Sequence, residues 1–218
     1  MDNRYRLLLP VSVLFALIYL LVPFQEGSLP YIGSKTLTCL LLAAYAFLAL
    51  PKGRLQKTVT LALIISSLGD FFLAIRSADY FVEGLGSFLI AHLIYISAFA
   101  RHRDIGSKAP HVLPLTLIIG LLAIVMMTIL WPHLGALKAP VCLYIIVISL
   151  MAIAAVHSRF QSALIIPGVL SFLISDGLIA VSKFLTPLPF SASMIWITYV
   201  TAQVLIVLAV TRNRSPAS

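Results

Sequence analysis

The sequence predicts an all-α fold, a polytopic membrane helix bundle of eight transmembrane helices. Three observations lead there. The chain of 218 residues is 61% hydrophobic and only 10% charged, with a mean hydropathy of +1.08. No water-soluble domain of this size has enough interior to hide so much apolar side chain, so its solvent is lipid. The apolar residues fall into runs of about 17–24, the length that crosses a bilayer as a helix. The connections are short, and no segment between runs is long enough to fold alone, so residues 1–218 read as a single eight-span domain.

The runs follow in order. The first, 7–23, comes after the charged stretch MDNRYR and has the form of an export signal. Phe24-Gln25-Glu26 stands where a small-x-small cleavage site would be, so it reads as an uncleaved membrane helix. The second, 33–50, has Lys35 at its head and stops at Pro51-Lys52-Gly53. The third, 58–75, contains Asp70 and leads to Arg76; the fourth, 84–100, carries His92 and Tyr95 and ends in Arg101-His102-Arg103-Asp104. The fifth, 112–131, is almost wholly apolar up to Trp131-Pro132-His133, and the sixth, 139–156, includes Tyr144. The seventh, 161–182, holds Asp176 and gives way to Lys183 and the turn Thr186-Pro187-Leu188-Pro189; the eighth covers 193–211. Cys39 and Cys142 stand alone within apolar runs and read as reduced packing residues.

A weak internal repeat runs through this order. The third and seventh spans share [GS]-D-x-[FL]-[LI]-A-[IV] around Asp70 and Asp176, and LIYISA (93–98) matches ITYVTA (197–202), aligning Tyr95 with Tyr199. Spans four apart have the same orientation, so the chain suggests two parallel four-helix halves. The net charge of +8 needs no nucleic acid, because the basic residues sit in the gaps where topology selection puts them. With the N-terminus cytoplasmic, eleven Lys and Arg lie inside against four outside, Lys35, Arg76, Lys138 and Lys183. That asymmetry implies a multi-pass protein of the cell (inner) membrane with both termini cytoplasmic.

Function is carried by Asp70 and Asp176. A carboxylate at membrane depth costs at least ~2.5 kcal/mol, so it is usually kept for a purpose. At 1.5 Å per residue Asp70 lies roughly 20 Å and Asp176 roughly 25 Å from the cytoplasmic edge, both in the outer half of the membrane. His92 falls roughly 12 Å below the outer edge, and Phe88, His92, Tyr95 and Phe99 share one helical face. Above them Lys35, Arg76 and Lys183 stand at headgroup level. Cations over carboxylates describe a pocket for an amphiphile, whose phosphate meets the lysines while its chain-bearing linkage hangs beside the acids. Plainer roles exist for the same residues. The cations serve equally as snorkelling anchors, and His92, Tyr95 and Tyr144 as hydrogen-bonded packing. Asp79, Glu83 and Asp104 fall in loops. With no HExxH, no HxxxH within a span and no GxSxG, zinc and serine-esterase chemistry lack their parts. No metal and no cofactor is expected.

The segments SLGDFFLAI, YFVEGLGSFLIAHLIYISAF and FLISDGLIAVSKF resemble the signature blocks of the YhhN / lysoplasmalogenase family. Lys35 and Pro140-Val-Cys-Leu-Tyr144 also fit its pattern, so the likeness covers most of the chain. Thr36, where the family commonly has proline, and Ile166-Pro167-Gly168 depart from it; the latter suggests a local kink. The resemblance implies an integral-membrane hydrolase that cleaves the vinyl ether bond of lysoplasmalogens to a fatty aldehyde and a glycerophospho-alcohol. It implies Asp70 and Asp176 as catalytic acids, and Lys35, His92, Tyr95, Tyr144 and Lys183 as substrate-binding residues. The expected partners are a lysophospholipid substrate and membrane lipids, with oligomeric state open.

The chemistry suits two acids. A vinyl ether hydrolyses when an acid protonates its β-carbon and water adds to the oxocarbenium ion. One carboxyl must therefore be protonated and a second ionised, as in glycosidases. The sequence leaves open which is which, and the greater depth of Asp176 inclines the choice toward it as the acid. The competing class is a proton-coupled transporter or lipid-handling protein that uses the same buried acids.

Overall fold

The computed structural model describes residues 3–75, 80–104, 110–160 and 162–212. Arg76, Asp79, Lys108 and Arg214 lie outside the described residues. Eight helices occupy the eight expected spans: α1 Leu8–Leu21, α2 Leu29–Ala49, α3 Arg54–Ala74, α4 Phe81–Arg101, α5 Val112–Leu130, α6 Lys138–Val156, α7 Ser162–Phe184 and α8 Ser191–Arg212. A 3₁₀ turn, Asn3–Leu7, leads into α1. The seven from α2 onward are long and apolar enough to cross a membrane, while the first forms the shorter apolar helix Tyr5–Leu21. The described residues contain no strand, only an isolated antiparallel bridge between Arg103 and Ser158. The protein is an all-α multi-pass membrane protein.

Several helices begin before their apolar runs do. The hydrophobic count registers the part facing lipid tails, whereas the helix continues through the headgroup layer. Thus α2 starts at Leu29 because the Ser28 hydroxyl accepts the Tyr31 N–H at 3.4 Å and Pro30 stands in the first turn, where its missing N–H costs nothing. Likewise α4 starts at Phe81, which puts Glu83 in its first turn rather than in a loop. A carboxylate there complements the positive end of the helix dipole.

The chain divides into two compact units, residues 1–98 and 99–218, and only the last turn of α4 counts with the second. Each holds four helices, α1–α4 and α5–α8. In the first unit α2 packs between α1 and α3. Ser12 Oγ donates to the Thr38 carbonyl at 2.8 Å across α1 and α2, and Ser67 Oγ donates to the Thr36 carbonyl at 3.2 Å across α2 and α3. Gln56 Nε2 donates to the Phe47 carbonyl at 2.6 Å and ties down the short connection before α3. The buried stripe of α3 (Gln56, Val59, Leu63, Ser66, Asp70, Ala74) recurs at helical spacing. Asp70 therefore lies on the packed face and not toward lipid. Two glycines bring α3 and α4 together. A Cβ on Gly69 would meet a Phe88 ring carbon at 2.6 Å, and one on Gly84 would meet Leu73 Cδ2 at 2.6 Å.

In the second unit α6 packs between α5 and α7, and α7 with α8 makes the most extensive pairing. Burial follows this order: α5 buries only Ile119 and Leu130, whereas α6 buries ten residues. Gly168 lets α8 approach, since an added Cβ would stand 3.2 Å from Leu205 Cβ. Ser175 Oγ donates to the Ile195 carbonyl at 3.2 Å, and Tyr199 meets Phe172 edge-on at 5.5 Å. Pro167 sits inside α7, which runs through it as one helix without a break. A membrane helix tolerates this because neighbouring groups can satisfy the freed carbonyl. Beyond α4 and α6 the chain pairs through Asp104 N–H to His157 O (2.9 Å) and Arg159 N–H to His102 O (2.8 Å). Cys39 is buried, Cys142 half-buried, and neither is in a disulfide.

Candidate active site

The second unit supplies a carboxyl with a defined partner. Asp176 is eight residues from the end of α7, about 12 Å, and Tyr144 is six residues from the start of α6, about 9 Å. Adjacent antiparallel helices bring these heights together, and the Tyr144 hydroxyl donates to Asp176 Oδ2 at 2.5 Å. Tyr144 is 7% exposed, while Asp176 is half-buried. The bond is at the short limit for a hydroxyl on a carboxyl oxygen and leaves Asp176 in the acceptor role, the part a carboxylate plays. Gly177, the next residue, would bring an added Cβ within 3.3 Å of Met126 Cε on α5. Lys183 is the penultimate residue of α7 and is exposed.

The first unit holds the other carboxyl and a bound cation. Asp70 is four residues, about 6 Å, from the end of α3 and is only 4% exposed. Lys35 does not open its helix; it is the seventh residue of α2, about 9 Å inside it. Its Nζ lies 5.1 Å from the centroid of the Tyr19 ring and 5.7 Å from that of Tyr31. The two tyrosine hydroxyls are 3.2 Å apart. Tyr19, near the end of α1, is within electrostatic reach of Glu26 and Asp70, so cation, aromatic pair and acid gather at one end of this unit. Two hydroxyls beside this cluster, Thr36 Oγ1 and Ser66 Oγ, are buried without a hydrogen-bond partner among the described residues. Such groups cost about 1–3 kcal/mol when left unsatisfied.

His92 and Tyr95 lie well inside α4. Because α4 begins at Phe81, His92 is about 16 Å and Tyr95 about 21 Å along it. Their shared face with Phe88 is buried, at 1% exposure for His92 and 0% for Tyr95. Tyr19 and Tyr31 were not among the expected site residues. Their signal was a pair of aromatics flanking the 22–28 connection, one turn before Lys35 in the case of Tyr31. The Tyr144–Asp176 bond had no signal in spacing, since 32 residues separate its ends. Among the described residues no group of three His, Cys, Asp or Glu is assembled in a way that could hold a metal ion.

No solved structure matches this chain. Its sequence is similar to the bovine (Bos taurus) "Lysoplasmalogenase TMEM86A", with 32% identity over 171 residues covering 72% of this chain and 67% of that protein. The "Lysoplasmalogenase" of Mycobacterium tuberculosis (strain CDC 1551 / Oshkosh) is 33% identical over 175 residues, covering 79% and 67% of the two chains. The human (Homo sapiens) "Lysoplasmalogenase TMEM86B" is 29% identical over 207 residues, 94% of this chain and 86% of the relative. The model of the YhhN family matches residues 31–210, and the chain belongs to that family.

Proposed function

We propose that this YhhN-family protein is an integral-membrane lysoplasmalogenase, a hydrolase that opens the vinyl ether of a single-chain ether phospholipid. The products are a fatty aldehyde and a glycerophospho-alcohol. Support comes from relatives that bear that name over two thirds or more of their length and from two carboxyls carried within apolar helices. The observation that carries the mechanism is the Tyr144 hydroxyl on Asp176. A carboxyl that accepts this bond is suited to be the ionised partner, which leaves the more deeply buried Asp70 as the acid. This reverses the inclination drawn from depth alone.

In this reading Asp70 gives its proton to the β-carbon of the enol ether. The double bond becomes an oxocarbenium ion, which the Asp176 carboxylate stabilises. Asp176 then takes a proton from the attacking water as its oxygen bonds to the α-carbon. The hemiacetal collapses when Asp176 returns a proton to the departing glycerol oxygen and Asp70 accepts the hydroxyl proton. Both carboxyls end as they began, and no oxidant or reductant enters. Lys35 meets the substrate phosphate, exposed Lys183 belongs to the headgroup layer, and the His92–Tyr95 face walls the reacting end. A carrier of the broken-helix type is less well supported, since α3 and α7 both run uninterrupted past their acids.

The test is the product. Purified protein in detergent, given a lysoplasmalogen in D₂O with aldehyde trapped at once by borohydride, is expected to yield fatty alcohol bearing one deuterium on carbon 2 from the protonation step. No product, or product without that deuterium, overturns the proposal. A carrier releases none.

A further inference from the structure

The connection between α7 and α8 holds an aromatic ring in the open at a conformational cost. Among the described residues Phe190 alone, apart from glycines, has a positive φ, at 58°. The Ser191 N–H donates to the Leu188 carbonyl at 3.2 Å, which closes a four-residue turn with Pro189 second and Phe190 third. Proline in the second place and positive φ in the third are the pattern of a type II turn, whose third place normally takes glycine or asparagine. A Cβ on the residue there crowds the following carbonyl, so phenylalanine is strained where those residues are relaxed. The ring packs little against the protein in return, for Phe190 is 83% exposed.

Its surroundings point to what covers it. Both α7 and α8 are long and apolar enough to cross a membrane, and only residues 185–190 join them. So short a connection keeps the ring near the level where hydrocarbon gives way to headgroups. Phe190, Met194 and Ile197 recur at helical spacing and are all exposed, so the ring prolongs an apolar stripe of α8 past the helix start. The connection from α5 to α6 lies at the same end of the unit, because α6 starts where α7 stops. It exposes Trp131, whose ring centroid is 4.9 Å from Lys138 Nζ; tryptophan beside lysine at the end of a span marks the membrane interface. Ser182 Oγ donates to Ser191 Oγ at 3.4 Å. That bond holds the start of α8, with Phe190 just before it, beside the end of α7 where Lys183 is exposed. Asp176 is about 12 Å from that end.

We propose that Phe190 is an interfacial wedge, held by its strained turn among the upper acyl chains of the bilayer. It sets this end of the unit at the depth from which a single-chain phospholipid is drawn. The wedge itself needs no particular reaction, whereas its role in drawing the lipid rests on the lysophospholipid reading above. Phe190→Trp is reconstituted in vesicles of phosphatidylcholine brominated high on one acyl chain. The fluorescence it adds to that of Trp131 and Trp196 is expected to be quenched by the bromolipid and not by aqueous iodide. Quenching by iodide and not by bromine overturns the wedge. Phe190→Asn suits the turn but gives up the ring. It is expected to raise the apparent KM for lysoplasmalogen in vesicles about three- to tenfold with kcat within about twofold, because the unit then spends less of its time at the working depth. Phe190→Trp stays close to wild type. Unchanged KM in Phe190→Asn overturns the proposal, as does an equal rise in Phe190→Trp. If wild type releases no aldehyde while the bromolipid quenches the added tryptophan, the hydrolase reading falls and the wedge stands. Binding of a saturated single-chain phospholipid, which has no vinyl ether to cleave, then reads the second role. Weaker binding by Phe190→Asn than by wild type supports it, and equal binding removes it.

Discussion

Replacing Tyr144 by phenylalanine removes one hydroxyl and nothing else. The ring stays in a site where it is 7% exposed, so packing on α6 is kept, while Asp176 loses the donor now 2.5 Å from Oδ2. A hydrogen bond to a charged acceptor is worth about 1.5–3 kcal/mol. If the bond steadies the carboxylate as charge develops on the substrate, that energy is lost from the barrier. At 1.36 kcal/mol per decade the loss corresponds to about a ten- to 150-fold fall in kcat. KM stays within about twofold, because the bond contributes to the transition state and not to headgroup binding. The assay is initial-rate aldehyde release by purified protein in detergent, with monodispersity on size exclusion as the folding control. In an Asp176→Asn background the same substitution should cost nothing more. A Tyr144→Phe enzyme with wild-type kcat refutes the support role. A raised KM at unchanged kcat refutes it too, and makes Tyr144 a substrate contact.

Further outcomes follow from the packing and the chemistry. Gly69→Ala forces a methyl against the Phe88 ring, where 2.6 Å is available; overpacking of this kind costs about 1–3 kcal/mol, which a lowered melting midpoint in detergent will register. Ser12→Ala removes the buried hydroxyl bond to the Thr38 carbonyl and should lower stability by about 1 kcal/mol, read by the same melt, with kcat unchanged. Treatment with EDTA should leave aldehyde release at the wild-type rate, since both proton transfers are assigned to side chains; loss of activity that added divalent metal restores contradicts that assignment.

The chain revealed its fold because its solvent is lipid. Eight apolar runs became eight helices, and α3 and α4 carry Asp70, His92 and Tyr95 on buried faces. Helix starts were less legible, for a physical reason. Hydropathy marks where tails are, but Ser28 with Pro30 starts α2, and α4 runs back to Phe81 through the headgroup layer. The difference matters at Lys35, which is the seventh residue of α2 rather than its first and lies over two rings. Side-chain partners across helices were legible only as types. Asp176 announced itself as a costly acid, but nothing in the order of residues singled out Tyr144 as its donor. That pairing depends on the relative rotation of α6 and α7, which packing at every other contact decides. The local motifs around Asp70 and Asp176 were the most informative, because a carboxyl in a membrane helix has few inexpensive explanations.

The most direct measurement is aldehyde release from a lysoplasmalogen by wild type, Asp70→Asn and Asp176→Asn, each purified from membranes at matched yield. Acid–base groups contribute roughly 10²–10⁴ in rate, so the paired-carboxyl mechanism predicts at least a hundredfold loss in each variant with insertion and melting behaviour retained. Near-full activity in either variant would contradict it.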